Sequence, residues 1–163
     1  MKNILLARID DRLIHGQIVT SWVKAYPISE ILIVADDLAQ NLLMQRIYKS
    51  VAPAGIKVEI MGNADACEYL LKNGKKGQNI MILVKTPDVF EYLVENGVLI
   101  PKIILGGMGL QAGREVLIKN ISVNEAERES LRRLLASGIK VVYQMIPVDS
   151  EKEINKLLIG KRE

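Results

Sequence analysis

Short, almost uninterrupted runs of aliphatic residues recur along the chain, and this feature most restricts the folds open to it. The clearest runs are ILLARI (4–9), ILIVA (31–35) and IMILV (80–84). A strand with one solvated face would alternate apolar and polar residues. These runs therefore predict strands that are buried on both faces, as in a parallel sheet covered by helices. Because aromatic residues make up only 4% of the chain, the core must consist mainly of Ile, Leu and Val.

The strand-like runs alternate with helical patterns. We predict strands at 3–9, 30–36, 56–61, 79–85, 102–107 and 139–146. We predict helices at 16–26, 37–52, 64–74, 86–97, 124–138 and 149–159, with an irregular segment at 108–122 that holds a short strand at 116–121. Gly74 is a candidate C-terminal cap, Thr86 a candidate N-cap before Pro87, and Gly97 a candidate helix terminator.

This alternation is typical of βαβ units. We predict a single α/β domain over residues 1–163, folded as a doubly wound three-layer α/β/α sandwich with a mainly parallel central sheet. In such folds the functional groups collect at the carboxyl ends of the strands.

One stretch places reactive residues at that edge. RIDDRLIHGQIVTSW (8–22) contains His15, the only histidine, in the loop between the first strand and a helix that opens near Gly16. Free backbone N–H groups and the positive end of the helix dipole favour an anion there and disfavour protonation of the ring. A neutral imidazole in this position is a competent nucleophile toward phosphorus.

The neighbours of His15 suit phosphoryl chemistry. The guanidinium of Arg12 matches phosphate oxygens in two-point fashion. Asp10 is placed to accept a hydrogen bond from one ring nitrogen, and Arg8 to add positive charge. A histidine near a helix start is also a common polar cap, so spacing alone leaves the functional and the structural interpretations open.

The same stretch resembles the active-site segment of the IIB components of the mannose/fructose/sorbose family of the bacterial phosphotransferase system (PTS). The resemblance extends along essentially the whole chain, through VADD (34–37), AP-G-KV (52–58), KTP (85–87), GGM (106–108), ISVNEAE (121–127) and VYQMIP (142–147).

This resemblance implies a protein-N(pi)-phosphohistidine–sugar phosphotransferase with no cofactor. His15 would take a phosphoryl group from a phosphorylated IIA protein and pass it to a sugar imported by the IIC and IID membrane components. The family's active-site loop corresponds to residues 10–17, which supports Asp10, Arg12, Gly16 and Gln17 as site residues. Many members have Asn where this chain has Gly107, which leaves the sugar class open. The sequence also leaves open the oligomeric state and which ring nitrogen is phosphorylated.

Two further candidates lie after other strands. The hydroxyl of Thr86 is placed to donate to a phosphoryl oxygen, although an N-cap role explains it too. GMGLQA (107–112) matches a dinucleotide-binding fingerprint, but it occurs late in the chain and precedes no clear helix. The alternative function is therefore a non-catalytic nucleotide- or anion-binding module that uses the glycine-rich loop 106–113. A regulatory protein that uses phosphorylation of His15 only as a signal is a third possibility.

Composition argues against other classes. A net charge of +3, with basic clusters at 72–76 and 161–162 that lack interleaved aromatics, does not favour nucleic-acid binding. Cys67 is the only cysteine, so we expect neither a disulfide nor a Cys/His metal site within one chain. No apolar run is long enough to span a membrane. We expect a cytoplasmic protein that reaches the membrane only through its transporter partners.

Overall fold

The computed structural model describes residues 1–159, so the predicted basic cluster at 161–162 lies outside the described residues. A seven-stranded sheet in the order β3-β2-β4-β1-β5-β8-β9 forms the centre, and a separate β6-β7 hairpin lies beside it. The strands are β1 (Asn3–Asp10), β2 (Glu30–Val34), β3 (Lys57–Met61), β4 (Asn79–Val84), β5 (Lys102–Gly107), β6 (Glu115–Ile118), β7 (Ile121–Val123), β8 (Lys140–Tyr143) and β9 (Lys152–Glu153).

Six of the seven central strands are parallel, and only β9 pairs antiparallel, with β8. The helices are α1 (a π-helical segment Ile18–Trp22 followed by the α-helical turn Val23–Ala25), α2 (Asp36–Ala39), α3 (Leu42–Ser50), α4 (Asn63–Leu71), α5 (Pro87–Glu95), α6 (Glu125–Ala136) and α7 (Asn155–Leu158). The predicted α/β fold with a mainly parallel sheet is confirmed.

Each face of the sheet has its own apolar core. Residues of α1, α2 and α3 pack on one face, and residues of α4 to α7 pack on the other. The strands between them are almost fully buried, which explains why their sequences do not alternate. Within residues 1–159, no helix combines the length and the hydrophobicity needed to cross a lipid bilayer.

Three local predictions differ from the structure. The single helix predicted at 37–52 is two helices, because the Asn41 side chain accepts a hydrogen bond from Met44 N and starts α3 anew. Gly74 does not cap α4, which ends in extended backbone at Lys72. Gly74 instead allows close approach to Lys2, whose Cα would lie 3.1 Å from an added Cβ. Thr86 occupies the N-cap position, but its hydroxyl makes no capping hydrogen bond.

The remaining differences involve the pairing of strands. The strand predicted at 116–121 is the antiparallel β6-β7 hairpin, which turns at Lys119 with φ of 42°. The helix predicted at 149–159 is shortened to α7, because Lys152 and Glu153 pair with β8 as an edge strand. The prediction at Gly97 is confirmed, since φ is 93° just after α5 ends.

Candidate active site

The loop after β1 folds back over the end of its own strand. Asp11 N donates to Gly107 O at 3.0 Å, and Leu13 N donates to Asp10 O at 2.9 Å. Leu13 has a left-handed backbone, with φ of 58°, and its side chain is fully buried. Burial of this side chain holds a conformation that a leucine would not otherwise favour. The tight turn brings His15 back over Asp10, at the carboxyl edge of the central strand.

His15 and Asp10 are in direct contact. Nε2 of His15 lies 3.0 Å from Oδ2 of Asp10. The Asp10 side chain is fully buried, whereas that of His15 is 15% exposed. Nδ1 of His15 makes no hydrogen bond to any of residues 1–159. With a proton on Nε2 donated to the carboxylate, the Nδ1 lone pair is available for chemistry.

The Asp10 carboxylate is also held by Arg12. Nε of Arg12 donates to Oδ1 at 2.9 Å, Nη2 donates to Oδ2 at 3.0 Å, and the Arg12 backbone N donates to Oδ1 at 3.2 Å. Burial alone would raise the pKa of Asp10. The hydrogen bonds from His15 and Arg12, together with the charge of Arg8, outweigh burial and lower that pKa to about 2. The carboxylate is therefore a fixed anion at neutral pH.

Arg12 is placed differently from the expectation that its fork faces a phosphate. Its two-point contact is with Asp10, and that hydrogen bond raises the pKa of the guanidinium. The side chain remains 44% exposed, so a bound anion can still reach it.

Arg8 is an internal cation rather than a surface one. It is fully buried, and it donates to Gln144 O at 2.9 Å, to Met145 O at 3.1 Å and to Asp10 Oδ2 at 3.4 Å. Burial lowers its pKa to about 10, against the attraction of Asp10. Arg8 therefore supports Asp10 from below and cannot itself touch a ligand. No local sequence pattern indicates its contacts with residues 144 and 145.

Two glycines form the floor of the site. The pairing of β1 with β5 shifts register between Ile9 and Asp10, which leaves Gly106 as the extra residue of a bulge. A Cβ on Gly106 would lie 2.0 Å from Nη2 of Arg8. A Cβ on Gly107 would lie 2.9 Å from Asp10 Oδ1 and 3.2 Å from Arg12 Nη2. Gly107 therefore contacts the site directly, and the adjacent pair of glycines was the sequence signal for this close approach.

The glycine-rich loop 106–113 is attached to the active-site loop. Gly109 N donates to Asp11 Oδ2 at 2.7 Å. Arg114 was not among the predicted site residues. It donates to Gly109 O at 2.9 Å and forms a buried ion pair with Glu127. Arg114 also lies 3.6 Å from Asp11. The loop thus supports the histidine loop from the side.

The other predicted site residues occupy varied positions. Gly16 lies at the exposed start of the helical stretch, and an added Cβ would meet nothing within 4 Å. Gln17 is half-buried, and its Oε1 has no hydrogen-bond partner among residues 1–159. Thr86 lies in a different crevice, of about 200 Å³, with Asp36, Asp37 and Lys85 at the ends of β2 and β4. No cluster of metal-binding side chains occurs within the described chain.

Comparisons with known proteins agree with this geometry. The family model described as the PTS system sorbose subfamily IIB component matches residues 4–163. The fructose-specific EIIB component of Bacillus subtilis is 33% identical over 158 residues, 97% of each chain. The mannose-specific EIIAB component of Escherichia coli K12 is 33% identical over 153 residues, which are 94% of this chain and 47% of that protein.

The fold comparison points the same way. The IIBSor domain of the sorbose permease from Klebsiella pneumoniae matches with a TM-score of 0.90 at 29% identity, covering 96% of each chain. The predicted sugar phosphotransferase function is supported, and the alternative of a nucleotide-binding module is not. The chain belongs to the sorbose-subfamily IIB components of the sugar phosphotransferase system.

Proposed function

We propose that this IIB component carries a phosphoryl group on Nδ1 of His15. The observation that carries the proposal is the contact of Nε2 with Asp10, which is buried and anionic, while Nδ1 has no partner within residues 1–159. A hydrogen bond that fixes one ring nitrogen leaves the other as the nucleophile. The donor is a phosphorylated IIA protein, and the acceptor is a sugar held by the IIC and IID membrane components.

The first transfer needs little covalent help from the protein. The Nδ1 lone pair forms a bond to phosphorus as the donor's phosphorus–nitrogen bond breaks, and that electron pair returns to the donor imidazole. Catalysis of such a step consists of positioning and charge stabilisation. The 15% exposure of His15 leaves the ring accessible to a partner while Asp10 fixes its orientation.

The same carboxylate prepares the second transfer. While Nε2 keeps its proton, phosphorylation at Nδ1 makes the ring cationic. The Asp10 anion stabilises this charge, much as the aspartate of a catalytic triad stabilises an imidazolium. A cationic ring is a good leaving group, so the phosphoryl group stays ready for transfer to a sugar hydroxyl.

Arg12 is proposed to turn from Asp10 toward the phosphoryl group when His15 is phosphorylated. Its fork rests on Asp10 in the unphosphorylated protein, and its 44% exposure leaves room for the side chain to turn outward. Arginine and phosphate prefer two-point contact. The backbone at Gly16 and Gln17, next to His15 in the chain, is proposed to contact phosphoryl oxygens, with Gly107 as an outer contact.

The proposed partners follow from the family and from the names of relatives. The designation EIIAB of the mannose-specific relative combines a IIA with a IIB component in one protein. The named sugars differ among the relatives, from fructose to mannose to N-acetylgalactosamine, so the sugar is left unassigned. We place the proposed reaction on the cytoplasmic side of the membrane.

The test is direct phosphorylation. Purified protein is incubated with phosphoenolpyruvate, the general phosphotransferase proteins and a IIA protein, and the modification is mapped by mass spectrometry under alkaline conditions. We expect one acid-labile phosphoryl group on His15, and none on His15→Ala. Membranes that hold the IIC and IID components should then discharge it onto sugar. A His15→Ala protein that is phosphorylated and active would overturn the proposal.

A further inference from the structure

A buried arginine lies behind the active site with an aromatic ring on its face. The guanidinium carbon of Arg8 lies 4.8 Å from the centre of the Trp22 ring system. Both side chains are fully buried. The indole Nε1 of Trp22 donates to Met145 O at 3.1 Å, and Arg8 donates to the same carbonyl oxygen at 3.1 Å. Trp22, Arg8 and the Met145 carbonyl therefore form one closed cluster, which we name the arginine clamp.

The arginine clamp is an energetically unfavourable way to fill part of the core. A buried cation stabilises a protein less than well-packed apolar residues of similar volume. Nε of Arg8 has no hydrogen-bond partner among residues 1–159. The chain also needs a bulge and a glycine at position 106 to make room for the guanidinium. Packing alone does not explain such an arrangement, which points to a role for the clamp in positioning other groups.

The clamp contacts the reactive centre through one oxygen atom. Oδ2 of Asp10 accepts from Arg8 at 3.4 Å, from Arg12 at 3.0 Å and contacts His15 Nε2 at 3.0 Å. Of the two arginines, Arg12 is 44% exposed and Arg8 is fully buried. Arg12 is thus free to leave when a phosphoryl group arrives, while Arg8 is held by Trp22 and two backbone carbonyls. Arg8 is the fixed support of the carboxylate in both states.

The position of Trp22 depends on an unusual helix. Trp22 is the last residue of the π-helical segment Ile18–Trp22, and the Val23 N–H bonds to Ile18 O. The wider turn sets the angular position of the indole ring, and π-helical segments occur often at functional sites. Because His15 directly precedes this helical stretch, the helix connects the imidazole and the indole through the backbone as well.

We propose that Trp22 is a positioning residue for phosphoryl transfer, acting through Arg8 and Asp10 to keep Nε2 of His15 occupied and Nδ1 reactive. The proposal rests on the proposed function of His15. Weakening the clamp frees the carboxylate to move, so the ring flips more often and Nε2 becomes phosphorylated as well. The distribution between the two nitrogens is therefore the property that the clamp controls.

The experiment compares phosphorylated wild-type protein with Trp22→Phe and Trp22→Leu. Phenylalanine keeps an aromatic face for Arg8 but cannot donate to Met145 O, and leucine loses both contacts. Phe90→Leu is the matched control, because Phe90 is fully buried against the opposite face of the sheet. His15 is the only histidine, so NMR of the imidazole nitrogens and of phosphorus reads its two phosphorylated forms without overlap.

We expect wild type and Phe90→Leu to carry the group on Nδ1. We expect Trp22→Phe to transfer roughly fivefold more slowly, the effect of one hydrogen bond. Trp22→Leu should be slower by at least roughly tenfold and should show a clear fraction of Nε2 phosphorylation. Folded Trp22 variants with wild-type rate and nitrogen distribution would overturn the positioning role. A wild-type protein without phosphate on His15 would instead overturn the proposed function.

A second measurement uses the wild-type protein and therefore does not depend on whether the variants fold. Trp22 is the only tryptophan, so its indole N–H gives a single NMR signal. Phosphorylation of His15 should shift this signal through Asp10 and Arg8, and should leave amide signals of α4, on the other face, unchanged. An indole signal that does not respond to phosphorylation would contradict the proposal.

Discussion

Two Asp-Asp pairs lie at the carboxyl ends of β1 and β2 in the same sheet, yet Asp10 and Asp37 have very different surroundings. Asp10 at the end of β1 is fully buried and contacts His15 and two arginines. Asp37, just after β2, has a side chain that is 71% exposed and pairs with Lys85 at 3.2 Å. The two sequences, IDD and ADD, are almost identical. The chemical role of an aspartate at this edge is therefore decided by what covers it.

The segment that follows each pair determines how far the aspartates are buried. After β1, the turn through left-handed Leu13 lifts the chain over Asp10 before the helix begins. After β2, helix α2 begins directly at Asp36, whose Oδ1 accepts from Asn63 N at 2.7 Å. Asp10 is enclosed beneath a loop, whereas Asp36 and Asp37 lie on the surface at a helix start. Enclosure makes electrostatic interactions stronger, because water no longer screens them.

Neutralising each aspartate should distinguish the two regions most strongly. Asp10→Asn leaves Arg8 buried without its anion, and we expect the free energy of unfolding to fall by about 3 kcal/mol. Asp37→Asn removes a surface pair, and we expect a change of about 0.5 kcal/mol or less. Urea denaturation measures both. Equal losses for the two variants would show that burial does not distinguish the pairs.

The same substitutions separate the two aspartates in function. Without the carboxylate to orient His15, we expect phosphoryl transfer by Asp10→Asn to slow by at least on the order of a hundredfold. Asp37→Asn should transfer at the wild-type rate. Initial rates with phosphorylated IIA protein measure this difference.

Adding a methyl group at Gly106, against Arg8, and at Gly62, against Asp36, compares the packing of the two regions. A Cβ at Gly106 would lie 2.0 Å from the buried guanidinium of Arg8, and one at Gly62 would lie 2.8 Å from Asp36 Oδ1. We expect Gly106→Ala to cost about 2 to 3 kcal/mol, because the clamped guanidinium has nowhere to move. Gly62→Ala should cost less than about 1 kcal/mol, since an exposed carboxylate can shift. Thermal unfolding of the two variants gives the comparison, and a larger loss for Gly62→Ala would contradict it.

The pH dependence of stability also distinguishes the buried Asp10 from an ordinary aspartate. The pKa of Asp10 is about 2 in the folded protein, below its ordinary value of 3.8. A lowered folded-state pKa stabilises the protein above pH 4, and this stabilisation disappears as pH falls toward 2. It amounts to about 2 kcal/mol. The difference in unfolding free energy between wild type and Asp10→Asn should therefore shrink as the pH falls from 4 to 2. A constant difference would mean that Asp10 titrates normally.

A small effect on stability is expected at the exposed arginine of the active site. Arg12→Ala removes a side chain that is 44% exposed, so we expect it to fold with a loss of about 1 kcal/mol or less. We expect its phosphoryl transfer to be slow, because it lacks the phosphate-binding fork. Lys85→Ala, the matched loss of a cation beside Asp37, should leave transfer unchanged. Normal transfer by Arg12→Ala would remove Arg12 from the site.

The features that could be predicted from the sequence are those that depend on local patterns. Uninterrupted aliphatic runs indicated the parallel strands, and the position of the histidine after the first strand indicated the reactive edge. Contacts between distant segments were not predictable in this way. Arg8 meets Gln144 across 136 positions of the chain, and nothing near either residue signals that contact. The break at Asn41 was missed because its apolar spacing continues through the cap, and β9 was missed because edge pairing depends on β8.

The most direct test of phosphoryl transfer through Nδ1 is to determine which nitrogen of His15 becomes phosphorylated in the wild-type protein. Nitrogen-15 labelled protein, phosphorylated through a IIA protein, is examined by NMR at alkaline pH, where the single imidazole gives unambiguous signals. We expect phosphate on Nδ1, with Nε2 still protonated against Asp10. Phosphate on Nε2 would contradict this expectation, because that nitrogen is the one held by the buried carboxylate.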